Sequence, residues 1–117
     1  MRPITVGAAQ MGPIQRADGR ADVVARMIAH LRQAAERGCD FVVFPELTLT
    51  TFFPRWLMEG ADVDAWFERA VPGPETQPLF DEAARLGLAM SFGYAELTPE
   101  GRHFNTSILT DKTGAIV

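Results

Sequence analysis

The residue in this sequence with the most chemistry to offer is a carboxylate at the end of an apolar run. In FVVFPELTLTTFFPR, residues 41–55, four bulky apolar residues lead into Pro45 and then Glu46. A carboxylate shielded from water loses hydration of its charged form. Its pKa rises, and it becomes a competent base near neutral pH. Phe52, Phe53 and Trp56 follow closely enough to wall such a site off from water. Phe52 and Phe53 are candidate substrate contacts, with core packing as the alternative for each. For Glu46 the plain alternative is a surface glutamate paired with Arg55, and spacing alone leaves both readings open. A buried, unpaired Glu46 would cost several kcal/mol, so a buried site needs a cation or a proton donor beside it. The only lysine is Lys112, in the turn DKTG, where exposure is expected, and the other cations are arginines, mostly on helix surfaces.

The other chemically capable residues fit simpler roles. The single cysteine, Cys39, precedes the FVVF run, so it lies at the opposite end of that segment from Glu46. Six extended residues span roughly 20 Å, whereas a nucleophile and its base must approach within about 3 Å. Cys39 therefore reads as a small packing residue at a helix-to-strand joint. His30 reads as a surface or boundary residue of a helix, and His103 as a solvated residue of a hairpin connection. The two histidines have no nearby ligand pattern, so no metal site is expected. Asn105 and Thr106 begin a strand, where they either support the Glu46 loop by hydrogen bonds or serve only the strand edge. Gly7 and Gly12 form no phosphate-binding pattern.

The elements that must position these groups follow from periodicity. ITVGAA, 4–9, reads as a strand closed by Gly12 and Pro13. Over 18–37, Val23, Val24, Met27, Ile28, Leu31, Ala34 and Ala35 make one helical stripe. Asp18 or Asp22 is placed to cap its start, and Gly38 to end it. FVVF, 41–44, is apolar on both faces, as expected of a parallel strand buried on both sides. Strand, helix and strand in that order make a βαβ unit. Pro45 restricts Phe44 to extended geometry, so the strand should run straight to Glu46. In α/β folds, functional groups gather at the carboxyl ends of strands.

Beyond Arg55, a short helix is expected from about Asp62 to Ala70, and another follows Pro78 with Leu79, Phe80, Ala83 and Leu86 inward and Gly87 at its end. LAMSFGY, 88–94, and FNTSILT, 104–110, read as strands joined by a hairpin connection over 95–103, with a turn at 111–114 and the start of a fifth strand in AIV.

Composition bounds the function. The chain has 117 residues, 47% of them hydrophobic and 22% charged, with a net charge of −4. That suits one soluble globular domain. The arginines are dispersed, so no nucleic-acid partner is expected. No apolar run approaches the length of a membrane span, and MRPITVGAAQ lacks the apolar core of a secretory leader. One cysteine excludes an internal disulfide and suits the cytoplasm. The final strand would be a stub with an open sheet edge, so residues 1–117 are expected to be the front part of a larger domain.

FPELTLTTFFPR resembles the first signature of the nitrilase superfamily of carbon–nitrogen hydrolases. The resemblance covers nearly the whole chain, through VGAAQMGPI, GCDFVVFPELTLTTFFPR, VPGPETQPLF, GYAEL and RHFNTSILTDKTGAIV. TTFFPR, GYAEL and FNTSIL resemble the branch acting on N-carbamoyl-D-amino acids. The resemblance implies the N-terminal part of an α-β-β-α sandwich and a cysteine hydrolase without cofactor or metal. It implies a small-molecule substrate and a homo-oligomer. Of its glutamate, lysine and cysteine, only the glutamate maps here, onto Glu46, as the general base. The lysine and cysteine are expected beyond Val117. Other amidases, nitrilases and β-ureidopropionases of the superfamily remain open as alternatives, as does a non-catalytic binding or assembly module.

Overall fold

The computed structural model describes residues 1–117 and shows an α/β unit built on one four-stranded sheet. Its elements in chain order are β1 (Val6–Ala8), α1 (Arg20–Glu36), β2 (Phe41–Val43), a 3-10 turn (Phe53–Arg55), α2 (Ala61–Asp64), α3 (Gln77–Leu86), β3 (Ala89–Leu97) and β4 (His103–Thr110). The strands lie in the order β1-β2-β3-β4. β1, β2 and β3 run parallel, and β4 returns antiparallel to β3.

The α1 stripe forms as its spacing predicts. Val23, Val24, Met27 and Leu31 are buried against Leu79, Phe80 and Ala83 of α3, and both sets pack on Val42, Met90, Phe92 and Ile108 of the sheet. The rings of Phe80 and Phe92 meet edge to face at 5.9 Å, a favoured aromatic geometry. At the end of α1, Gly38 takes φ +72, and the Cys39 amide donates to the Ala34 carbonyl at 3.0 Å. That left-handed residue costs glycine little and lets the chain turn at once into β2. Between the helices, Glu82 accepts hydrogen bonds from Arg32 of α1 and Arg85 of α3. The two guanidiniums, Arg85 first, hold the Glu82 carboxyl down at about 2.

Several expectations are corrected. Gly19, not Asp18 or Asp22, is the residue before α1, and no side chain caps the helix. Asp18 instead accepts the Gln15 amide at 2.8 Å, so its oxygen is spent in the preceding turn. The expected helix from Asp62 to Ala70 is a single turn, α2. The chain then extends, because Glu68 pairs with β3: its amide donates to the Ala95 carbonyl at 2.7 Å, and Leu97 donates back at 2.9 Å. Arg20 pins this segment through Glu68 at 2.8 Å and the Ala65 carbonyl at 2.7 Å.

The hairpin connection is also shorter than expected. Ala95, Glu96 and Leu97 pair with Asn105, Phe104 and His103, which lengthens both strands. The fifth strand reduces to one bridge between Thr110 and Ile116. FVVF is covered on one face only: Val42 and Phe44 are buried, but Val43 is 39% exposed. Both long helices pack on one face of the sheet. The other face leaves Val6, Val43 and Leu109 open to solvent. No helix is long and apolar enough to cross a membrane.

Candidate active site

Glu46 lies on that open face, just past the carboxyl end of β2. Pairing with β3 continues beyond Val43: the Phe44 amide donates to the Ser91 carbonyl at 2.8 Å, and Gly93 donates to Pro45 at 3.3 Å. The Thr48 amide then returns to the Gly93 carbonyl at 2.9 Å. Glu46 and Leu47 therefore bulge out opposite Gly93. A Cβ on Gly93 would stand 3.0 Å from the Glu46 Cα and 3.1 Å from the Leu47 nitrogen, closer than most Cβ atoms come to backbone, so the bulge would have to give by a few tenths of an ångström. Gly93 thus lets the bulge rest closely on the sheet. Leu47 sits at φ +46, the only residue other than glycine with positive φ. Such strain persists where surrounding structure imposes it, often beside a site. Thr48 follows, fully buried, with its hydroxyl lacking a protein partner.

The bulge directs Glu46 into three adjoining clefts. One lies against Met11–Ile14 and Thr48, one against Ser91, Gly93 and Ser107, and one among Phe52, Phe53 and Phe67. Glu46 is exposed rather than walled off from water. Of the rings expected to shield it, Phe53 is buried in a second apolar cluster with Leu47 and Ala95. Phe53 stacks on Trp66 at 5.9 Å and meets Phe67 edge-on at 5.4 Å, while Phe52 stays 52% exposed at the cleft edge. Trp56 is half-buried, with the guanidinium of Arg16 at 5.0 Å and that of Arg55 at 4.5 Å from its ring.

Asn105, on β4, donates from its amide Nδ2 to Glu46 Oε1 at 2.6 Å. No ion pair includes Glu46, and Arg55 turns instead to the Thr51 hydroxyl at 3.2 Å. The carboxylate is therefore oriented by a neutral donor and keeps lone pairs free to take a proton. Thr106, the next residue, faces the other side of the sheet and donates to Glu96 at 2.6 Å. On that same side, burial pushes the Tyr94 phenol upward, with Glu96 and Glu68 adding to the effect.

The remaining candidates lie elsewhere. Cys39 is a half-buried free thiol at the amino end of β2, packed on the main core. Lys112 donates to Asp40 at 2.7 Å at that same end. His30 is half-buried on α1. His103 is not a loop residue: it opens β4, reaches Asp64 Oδ1 at 2.6 Å and lies edge-on to Phe67 at 4.5 Å. No group of three metal-ligating side chains is present. Sequence reasoning missed Gly93, whose signal was a glycine interrupting an apolar strand. It also missed the Asp64–His103 pair, joined across 39 residues with no local signature.

The carbon–nitrogen hydrolase family model matches residues 5–117. A nitrilase of Paraburkholderia phymatum is 31% identical over 99% of this chain, which covers 35% of that protein. The chain spans about a third of the length of the curated relatives it matches. Among solved structures, a carbon–nitrogen hydrolase from Helicobacter pylori superposes with a TM-score of 0.76 at 19% identity, over 97% of this chain and 37% of that one. An amidase from Nesterenkonia gives 0.72 at 19% identity, over 100% and 42%. These two likenesses show the fold.

Proposed function

The chain belongs to the carbon–nitrogen hydrolase family, and from that premise we propose that it carries the general base, Glu46, of a cysteine-dependent hydrolase acting on N-carbamoyl-D-amino acids. The observation that carries the reading is the Glu46 bulge. It offers an oriented carboxylate, unpaired by any cation, where three clefts meet. Cys39 stands at the other end of β2 and cannot be its partner. The thiol and an oxyanion-stabilising lysine come from sequence outside these 117 residues, laid over the open face of the sheet.

In this mechanism the thiol proton passes to Glu46, and the thiolate attacks the carbamoyl carbon. The carbon–nitrogen bond to the terminal amide breaks as Glu46 returns the proton to the departing ammonia. Water then cleaves the thioester, and the resulting N-carboxy amino acid releases carbon dioxide and the D-amino acid. A cationic donor at the developing oxyanion contributes about 3 kcal/mol. None of these steps calls for a cofactor or metal. Asn105 holds the carboxylate in register, and Phe52 and Phe53 line the substrate side. We place the enzyme in the cytoplasm as a homo-oligomer.

The N-carbamoyl substrate rests on the sequence likeness of TTFFPR, GYAEL and FNTSIL. A second reading, nitrile hydrolysis, is favoured by the relatives named nitrilases, which are 31% and 32% identical to this chain. Turnover by the full-length protein separates the two. N-carbamoyl-D-phenylalanine, N-carbamoyl-β-alanine, a simple amide and a nitrile would be compared by kcat/KM. Preference for the D-carbamoyl compound supports the first reading, and preference for the nitrile replaces it with the second. No turnover of any of the four leaves the chain a non-catalytic module.

A further inference from the structure

The clefts around Glu46 differ in chemistry, and Phe52 divides two of them. On one side lies a cleft against Met11–Ile14 and the buried Thr48. On the other lies a cleft of about 340 Å³ whose walls include Phe52, Phe53, Phe67 and Phe104, with Glu46 and Asn105 at its mouth. Its floor is already set. Phe53 is buried, stacked on Trp66 at 5.9 Å and held edge-on by Phe67 at 5.4 Å, and His103, which also lines the cleft, lies edge-on to Phe67 at 4.5 Å. Rings locked by neighbours need little further ordering when a ligand arrives, so binding loses little entropy there.

Phe52 differs from these rings. It is 52% exposed and takes no part in an aromatic contact. A half-exposed phenylalanine over an aromatic cleft leaves apolar surface in water that a matching group would cover. The one carboxylate at the mouth fixes where the reacting atom must sit, because a base has to lie within hydrogen-bond reach of the proton it takes.

We infer that this cleft selects substrates bearing an aryl group a few bonds from the scissile carbon, with Phe52 as the specificity-determining wall. The inference rests on the hydrolase reading of Glu46 but not on which carbon–nitrogen bond is cut. An N-carbamoyl-D-amino acid with a benzyl side chain and an arylacetonitrile both present the same ring to the cleft.

The test measures kcat/KM in the full-length protein for two matched pairs: N-carbamoyl-D-phenylalanine against N-carbamoyl-D-alanine, and phenylacetonitrile against acetonitrile. Whichever pair is turned over, the aryl member should be favoured by roughly tenfold to a hundredfold. Phe52→Ala should bring that ratio close to one, and Phe52→Tyr should keep it. A wild-type ratio near one, as when another segment fills the cleft, overturns the inference while leaving the hydrolase reading intact. So does a ratio that survives Phe52→Ala. If neither pair is hydrolysed, calorimetric binding of phenylacetate against acetate decides. A preference for phenylacetate that Phe52→Ala abolishes supports the cleft assignment, and equal or absent binding overturns it.

Discussion

The two ends of β2 each carry an acid, and the acids are held in different ways. At the amino end, Asp40 accepts from Lys112 at 2.7 Å and from the Thr5 amide at 3.0 Å. The ammonium and then the amide hold the Asp40 carboxyl below its ordinary value. At the carboxyl end, Glu46 meets one neutral amide and no cation. A carboxylate beside a positive partner is favoured in its charged form and serves structure. One oriented by a single neutral donor keeps lone pairs open to a further partner. The backbone differs in the same sense. The amino end is a regular joint closed by Gly38, whereas the carboxyl end is a bulge with a strained Leu47 and a hydroxyl left without a partner.

The largest test of this contrast is Glu46→Gln in the full-length protein. Turnover should fall by at least about a hundredfold, while the melting temperature stays put, because the amide replaces an exposed side chain of the same shape. Near-normal turnover would move Glu46 into the same class as Asp40.

Gly93→Ala comes next. Its Cβ meets the Glu46 and Leu47 backbone, not a flexible side chain, so the bulge must shift. The shift needed is a few tenths of an ångström, and moving a base by that much should lower kcat by roughly tenfold. Some loss of stability should accompany it, and unaltered kinetics would show that the bulge does not position the base.

Asn105→Ala removes the donor to Glu46. A hydrogen bond to a charged group is worth about 1.5–3 kcal/mol, so kcat should drop by roughly tenfold or more, with the fold retained. An effect on KM alone would make Asn105 a substrate contact instead of a positioning residue.

Lys112→Met should do least, leaving turnover unchanged and barely moving the melting temperature. Its signature lies in acid. Because Asp40 is depressed in the folded protein, its contribution to stability is present above the ordinary carboxylate range. That contribution is lost as pH falls through the lower folded value. Removing Lys112 should flatten that part of the acid-unfolding profile. A loss of activity in Lys112→Met would erase the distinction between the two ends.

Much of the scaffold was legible in the order of residues. The α1 stripe, the α3 face, Gly38 and Gly87 as stops, and β2 delivering Glu46 to its carboxyl end all follow from local rules: periodicity, glycine stereochemistry and the restriction Pro45 places on Phe44. Such rules act over a few residues, so the sequence alone determines their outcome. The family likeness belongs there too, since its motifs are contiguous.

Tertiary structure decided the rest, because it depends on contacts between distant segments. The Asp62–Ala70 pattern favoured a helix, but backbone pairing of Glu68 with β3 and its anchor Arg20 cut it to one turn. The direction of Phe53, onto Trp66 and Phe67, follows from which apolar surface was free to cover it. Only folding brought Asn105 to Glu46 across 59 residues and set Gly93 beneath the bulge. The sequence placed an acid at the end of a strand, and the packing of distant segments around it determined that a neutral amide, and none of the cations within these 117 residues, meets it.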